Sequence, residues 1–117
     1  MVKASDEEVE RAFRTLVNLT ARELAEWLET EASRSVGVDS GDGESVGAKS
    51  GKRTVLLLRK TTVTVDDRKH MRRVVGFIRR HAGQGPRRNV ETSRWRYSLM
   101  NWGHDPLKPR DADSPWR

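Results

Sequence analysis

TVDDRKHMRRVVGFIRRHAG, residues 64–83, decides how this chain folds. Met71, Val74, Val75 and Ile78 recur at i, i+3, i+4 and i+7, the spacing that lines up one face of a helix. Thr64 is a natural cap, Asp66 and Asp67 suit the positive end of the helix dipole, and Gly83 is a stop. The spacing predicts a helix over residues 66–82. At about 100° per residue, Arg68, Lys69, Arg72, Arg73, Arg79 and Arg80 gather on the arc opposite the apolar stripe, with Gly76 among them.

Outward from this helix the pattern stays helical. Ser5 with Glu8 reads as a capping box that opens a helix running to about Asn18, with Val9, Phe13, Leu16 and Val17 on one face. Thr20 with Glu23 is a second box, and it places Leu24, Ala25 and Leu28 inward with Trp27 beside them. Residues 31–43 are rich in Ser, Gly and Asp and carry no period, so a flexible linker is expected there. Residues 44–65 pull two ways. Thr54–Leu58 and Thr61–Val65 have strand composition, but Lys60-Thr61 is a poor hairpin turn. A helix over 44–59 is the preferred reading: Ser45-Val46-Gly47 and Ser50-Gly51 give it a small-faced start that lets a neighbouring helix pack closely, and Val46, Ser50, Val55 and Leu58 form much of its inner face. A last helix is expected over 90–102, with Trp95, Leu99 and Trp102 on one face and Gly103 as terminator.

The fold class expected is therefore all-α, a compact bundle of about five helices in one domain over residues 1–108. Residues 109–117, rich in proline and charge, are expected to form a disordered tail. The longest aliphatic run, Val55–Leu58, is far too short to span a membrane, and no secretory signal is visible. There are no cysteines, which excludes a disulfide scaffold, a thiolate metal site and a cysteine nucleophile, and suits the cytoplasm.

The net charge of +6 hides a split. Residues 1–50 hold six Lys/Arg against eleven Asp/Glu, a net of −5, whereas the remainder holds seventeen against six, a net of +11. Between residues 51 and 88 twelve basic residues face only two aspartates. Like charges held together repel, and a phosphate backbone relieves the repulsion while releasing counterions. The candidate nucleic-acid contacts are Arg68, Lys69, Arg72, Arg73, Arg79 and Arg80 on the central helix, Arg87 and Arg88 in the following loop, and Arg94 and Arg96 on the last helix. DNA is the favoured partner, RNA or single strands and an acidic protein are the alternatives, and a homodimer is a further option. The acidic first half is expected to mask the basic surface or to pair with a second copy.

Other chemistry is thinly supported. His70, His81 and His104 form no metal-ligand pair at the usual spacing, and no nucleophile accompanies His104-Asp105. The fragment GAKSGKRT lacks the spacing of a phosphate-binding loop and the strand before it. Trp95 and Trp102 are better placed in the core than on a base-stacking platform, while Tyr97 stands on a different face beside Arg94 and Arg96. Neither a catalytic residue, a metal nor a cofactor is expected.

ELAEWL (23–28), GESVGAKSGKR (43–53), HMRRVVGFIRRH (70–81) and WRYSLMNWGHDPLK (95–108), in this order, resemble a family of short basic proteins catalogued as a domain of unknown function. Its members are commonly labelled DNA-binding. The resemblance covers nearly all of residues 6–108, and the WGHDPLK ending is its most specific part. It implies a helix over 44–59 and a non-enzymatic role. Ala48 stands where a histidine is common in that family, so no role is attached to the position.

Overall fold

The computed structural model describes residues 5–39 and 41–108; the expected tail at 109–117 lies outside the described residues. Each helix starts where a short hydroxyl side chain takes over a free backbone N–H. Helix α1 (Asp6–Leu16) is capped by Ser5 Oγ, which accepts from Glu8 N. Helix α2 (Ala21–Leu28) has a complete capping box between Thr20 and Glu23. A short helix α3 (Glu31–Arg34) follows from Thr30. Ser45 caps α4 (Val46–Leu58), and Thr64 with Asp67 forms a second complete box at α5 (Val65–His81). Ser93 caps α6 (Arg94–Asn101). No strand is present among the described residues, only an isolated bridge between Asp39 and Ser45. Nor is any described helix long and apolar enough to cross a membrane.

Two apolar clusters organise these pieces. In the larger one Val9, Phe13 and Val17 of the α1 segment meet Met71, Val74, Val75 and Ile78 of α5, closed by Leu57, Leu99 and Trp102. In the smaller one Leu19, Leu24 and Leu28 pack on Val55 of α4. Thus α1 lies along α5, α2 lies along α4, and α6 is wedged among α2, α3, α4 and α5. The wedge needs small residues. A Cβ on Gly51 would sit 2.4 Å from the carbonyl oxygen of Asn101, so only glycine lets α4 approach the end of α6.

Three expectations need correction. The inner face of α4 is Gly47, Ser50, Gly51, Thr54, Val55 and Leu57, while Val46 is exposed and Leu58 only half-buried. The small face at Gly47, Ser50 and Gly51 is as expected, and its close approach to α6 turns Val46 and Leu58 away from the centre of the contact. The start of the expected linker is structured: Ser33 is fully buried, its hydroxyl donates to Asn101 Oδ1 at 2.5 Å, and Val36 is buried as well. The last helix starts at Arg94. Val90–Thr92 is a separate 3₁₀ turn, because Ser93 donates its hydroxyl to the Val90 carbonyl and caps the helix that follows.

The WGHDP segment, residues 102–106, is a clasp. Gly103 takes φ +94°, a conformation open to glycine, and its carbonyl accepts from Leu19 N at 3.2 Å. Asn18 then brackets the Asp105 backbone, donating Nδ2 to its carbonyl at 2.9 Å and accepting its N–H at 2.8 Å. His104 places Nδ1 2.7 Å from the Leu16 carbonyl, and burial holds its pKa below the ordinary imidazole value. The His104-Asp105 pair is a structural turn joining the end of α6 to the joint between α1 and α2.

Candidate nucleic-acid interface

The six basic residues of α5 divide between two edges. Arg68 and Arg72 lean toward α1, where Arg68 Nε meets Glu10 Oε1 at 2.9 Å and Arg72 Nη2 meets Asp6 Oδ1 at 3.3 Å. The Glu10 hydrogen bond pushes the Arg68 guanidinium pKa up. Arg79 lies on the same edge, in a shallow groove with Glu8 and Arg11. The expectation of one continuous arc therefore holds for the helix in isolation; docking of α1 covers one side with carboxylates.

Lys69, Arg73 and Arg80 follow the other edge, at i, i+4 and i+11, on nearly one line along the helix. All three are exposed, and none has an ion-pair or hydrogen-bond partner among the described residues. Arg80 Nη1 lies over Gly76, 3.2 Å from where a Cβ would stand. Beyond the end of α5, Arg87 and Arg88 are likewise exposed and without partners among the described residues. This loop is anchored by Trp95, whose Nε1 donates to the His81 carbonyl at 2.6 Å and whose ring lies within 3 Å of the position a Gly85 Cβ would take.

The last helix contributes less than its sequence suggests. Arg96 is held by Asp105 in a bidentate pair, Nε–Oδ1 3.0 Å and Nη2–Oδ2 3.0 Å, and also donates to the Glu91 carbonyl. Burial works against ionisation of Asp105, yet the Arg96 bonds and the Leu107 N–H hold its carboxyl below the usual range. Arg96 is thus part of the clasp. Arg94 is exposed and donates to the Ser35 carbonyl at 3.0 Å.

Among the described residues the tryptophans and Tyr97 are engaged by neighbours within the protein. Trp102 is buried and stacks on Phe77 with centroids 4.2 Å apart, and Tyr97 packs on Trp27 at 5.4 Å. Trp27 in turn donates Nε1 to Asn101 Oδ1 at 2.7 Å. Two cations absent from the sequence-derived set, Lys49 and Arg53, stand one turn apart on α4 and share a cleft with Arg73. Their i, i+4 spacing is visible in the sequence, but their proximity to α5 depends on how the helices pack.

A family model described as a protein of unknown function, DUF3140, matches residues 12–100. The chain belongs to this family. The DUF3140 match takes in α2 to α5, α6 up to Met100 and only the last part of α1, so it includes the free basic edge of α5, the Arg87-Arg88 loop and Asn18 of the clasp. No curated protein and no solved structure matches the chain.

Proposed function

We propose that this protein is a non-enzymatic DNA-binding module of the cytoplasm that grips duplex phosphates with the free edge of α5 and the loop after it. The observation that carries this reading is the row Lys69, Arg73 and Arg80, continued by Arg87 and Arg88, exposed and without carboxylate partners among the described residues. Such a row tracks a charged backbone without reading bases, so binding is phosphate-dominated and weakly sequence-specific. Trp102 is buried and the half-buried Trp27 and Trp95 are engaged by hydrogen bonds inside the protein, which favours duplex over single strands, whose bases need stacking surfaces turned outward.

Titration of a short duplex across salt tests this. Five contacts give a log–log slope of about −4 to −5. Absence of binding even at low salt sinks the DNA reading and turns attention to an acidic protein; a clear preference for RNA or single strands also overturns it.

The carboxylates on α1 set a second expectation. Deleting the acidic helices would remove Phe13, Leu24 and Leu28 from the core, so masking is tested by charge alone. Exchanging Asp6 for Asn and Glu10 for Gln releases Arg68 and Arg72 from these carboxylates, and the duplex slope is expected to steepen by up to about 2. An unchanged slope and affinity would show that α1 does not mask the surface.

A further inference from the structure

Between α4 and α5 lies a cleft of about 260 Å³, lined by Lys49, Ser50, Arg53, His70, Arg73 and Trp102 together with Val46. Three of the lining side chains are cations and none is a carboxylate. Lys49 pairs with Asp42, outside the lining. Arg53 reaches Asp67 only at 3.5 Å, and that carboxylate already accepts from Lys60 and from the Thr64 N–H. Arg73 has no partner among the described residues. Two guanidinium groups from two helices therefore converge on one space with little to neutralise them.

Two uncharged groups line the same space. The Trp102 Nε1–H has no acceptor among the described residues. It stays open because residue 47 is glycine: a Cβ there would stand 3.1 Å from the indole nitrogen. His70, only 3% exposed, places Nε2 3.2 Å from Thr54 Oγ1, and its buried Nδ1 has no hydrogen-bond partner. An orphaned ring nitrogen beside two arginines is an expensive arrangement for an inert core.

We infer that this cleft binds a phosphate-class oxyanion between Arg53 and Arg73, with the Trp102 indole N–H as a further donor. A tetrahedral dianion takes charge-assisted bonds from two guanidinium groups, and the cleft leaves room for part of the group to which it is esterified. The source is either a nucleic-acid backbone phosphate or a free phosphate or phosphomonoester. The site shares Arg73 with the duplex-binding edge but rests also on Arg53 and Trp102 of the cleft, so it is tested with phosphate alone. His70 adds a linked signal. Burial, then Arg53 and Arg73, lower its pKa to about 4, opposed by the Ser50 backbone and more weakly by Asp67; the Ser50 and Thr54 hydroxyls are its uncharged side-chain neighbours. A dianion that screens the arginines raises this pKa.

The test is a titration of the ¹⁵N-labelled full chain with inorganic phosphate, exchanged against chloride at constant ionic strength. The Trp102 indole signal is expected to move saturably, with a dissociation constant on the order of 1 mM. The Trp27 and Trp95 indoles, which already donate inside the protein, should stay in place. Arg53→Gln and Arg73→Gln change exposed side chains and should each weaken binding roughly tenfold. A Trp102 signal that does not saturate up to about 50 mM phosphate, or that moves equally in both variants, overturns the inference. Competition between phosphate and a duplex identifies the backbone as source; simultaneous binding identifies a free phosphate or ester, and either supports the site. Saturable phosphate binding without duplex binding removes only the DNA reading.

Discussion

Replacing Asp105 by Ala is expected to destabilise the fold by about 3 kcal/mol, the low end for breaking an enclosed ion pair because Arg96 keeps some contact with water. Their side chains are 11% and 23% exposed, so the stranded guanidinium is only partly rescued by solvent. The change also removes the acceptor of the Leu107 N–H. For a chain of this length the loss lowers the melting temperature by roughly 10 °C, readable by circular dichroism. The sign of the pH dependence is fixed by the lowered carboxyl pKa. Stability from the pair is present above the ordinary carboxylate value and is lost as pH falls through it and below. The Ala variant should therefore show a flatter acid profile than the parent. A melting temperature within about 2 °C of the parent would remove the clasp from the account of stability.

The second large effect is on binding. Lys69→Ala, Arg73→Ala and Arg80→Ala together remove three of the five proposed phosphate contacts. At about 0.1 M salt each contact contributes close to a factor of eight through counterion release, so the triple variant should bind duplex roughly 500-fold more weakly. Its salt slope should fall by about 2.7. All three side chains are exposed, and the helical spectrum should be unchanged. Arg68→Ala, which removes a cation already paired with Glu10, should cost far less. Triple-variant affinity within about threefold of the parent would show that the proposed edge is not the contact surface.

Helix starts were legible because they are local: Thr20 with Glu23 and Thr64 with Asp67 meet their partners three residues away. The apolar stripe of α5 was legible because its period is strong, and Met71, Val74, Val75 and Ile78 are all buried. What escaped depends on distant partners. Helix α3 sits in a stretch without period and is held by Ser33 on Asn101, 68 residues along the chain. The small face of α4 at Gly47, Ser50 and Gly51 was legible from residue size, but its apolar members were not: Val46 is exposed and Leu58 half-buried, which depends on where α2 and α6 dock. The basic arc was read as one surface because Glu10 lies 58 residues from Arg68, and nothing local pairs them. For the same reason Arg96 looked outward in the sequence, although Asp105 is only nine residues away, across the reversal at Gly103.

The clasp has a consequence for how the chain is made. Asn18 and Asp105 close against each other across 87 residues. Contacts of such separation form late, after the loop entropy between them has been overcome. On a ribosome, α1, α2 and α4 emerge and can gather before α6 exists, but the joint between α1 and α2 stays unlatched until residue 105 is free of the exit tunnel. A chain truncated ahead of this point lacks the latch. Its first joint is then expected to be cut sooner than that of the full chain in limited proteolysis, because local opening there is no longer opposed by the Asn18–Asp105 bonds.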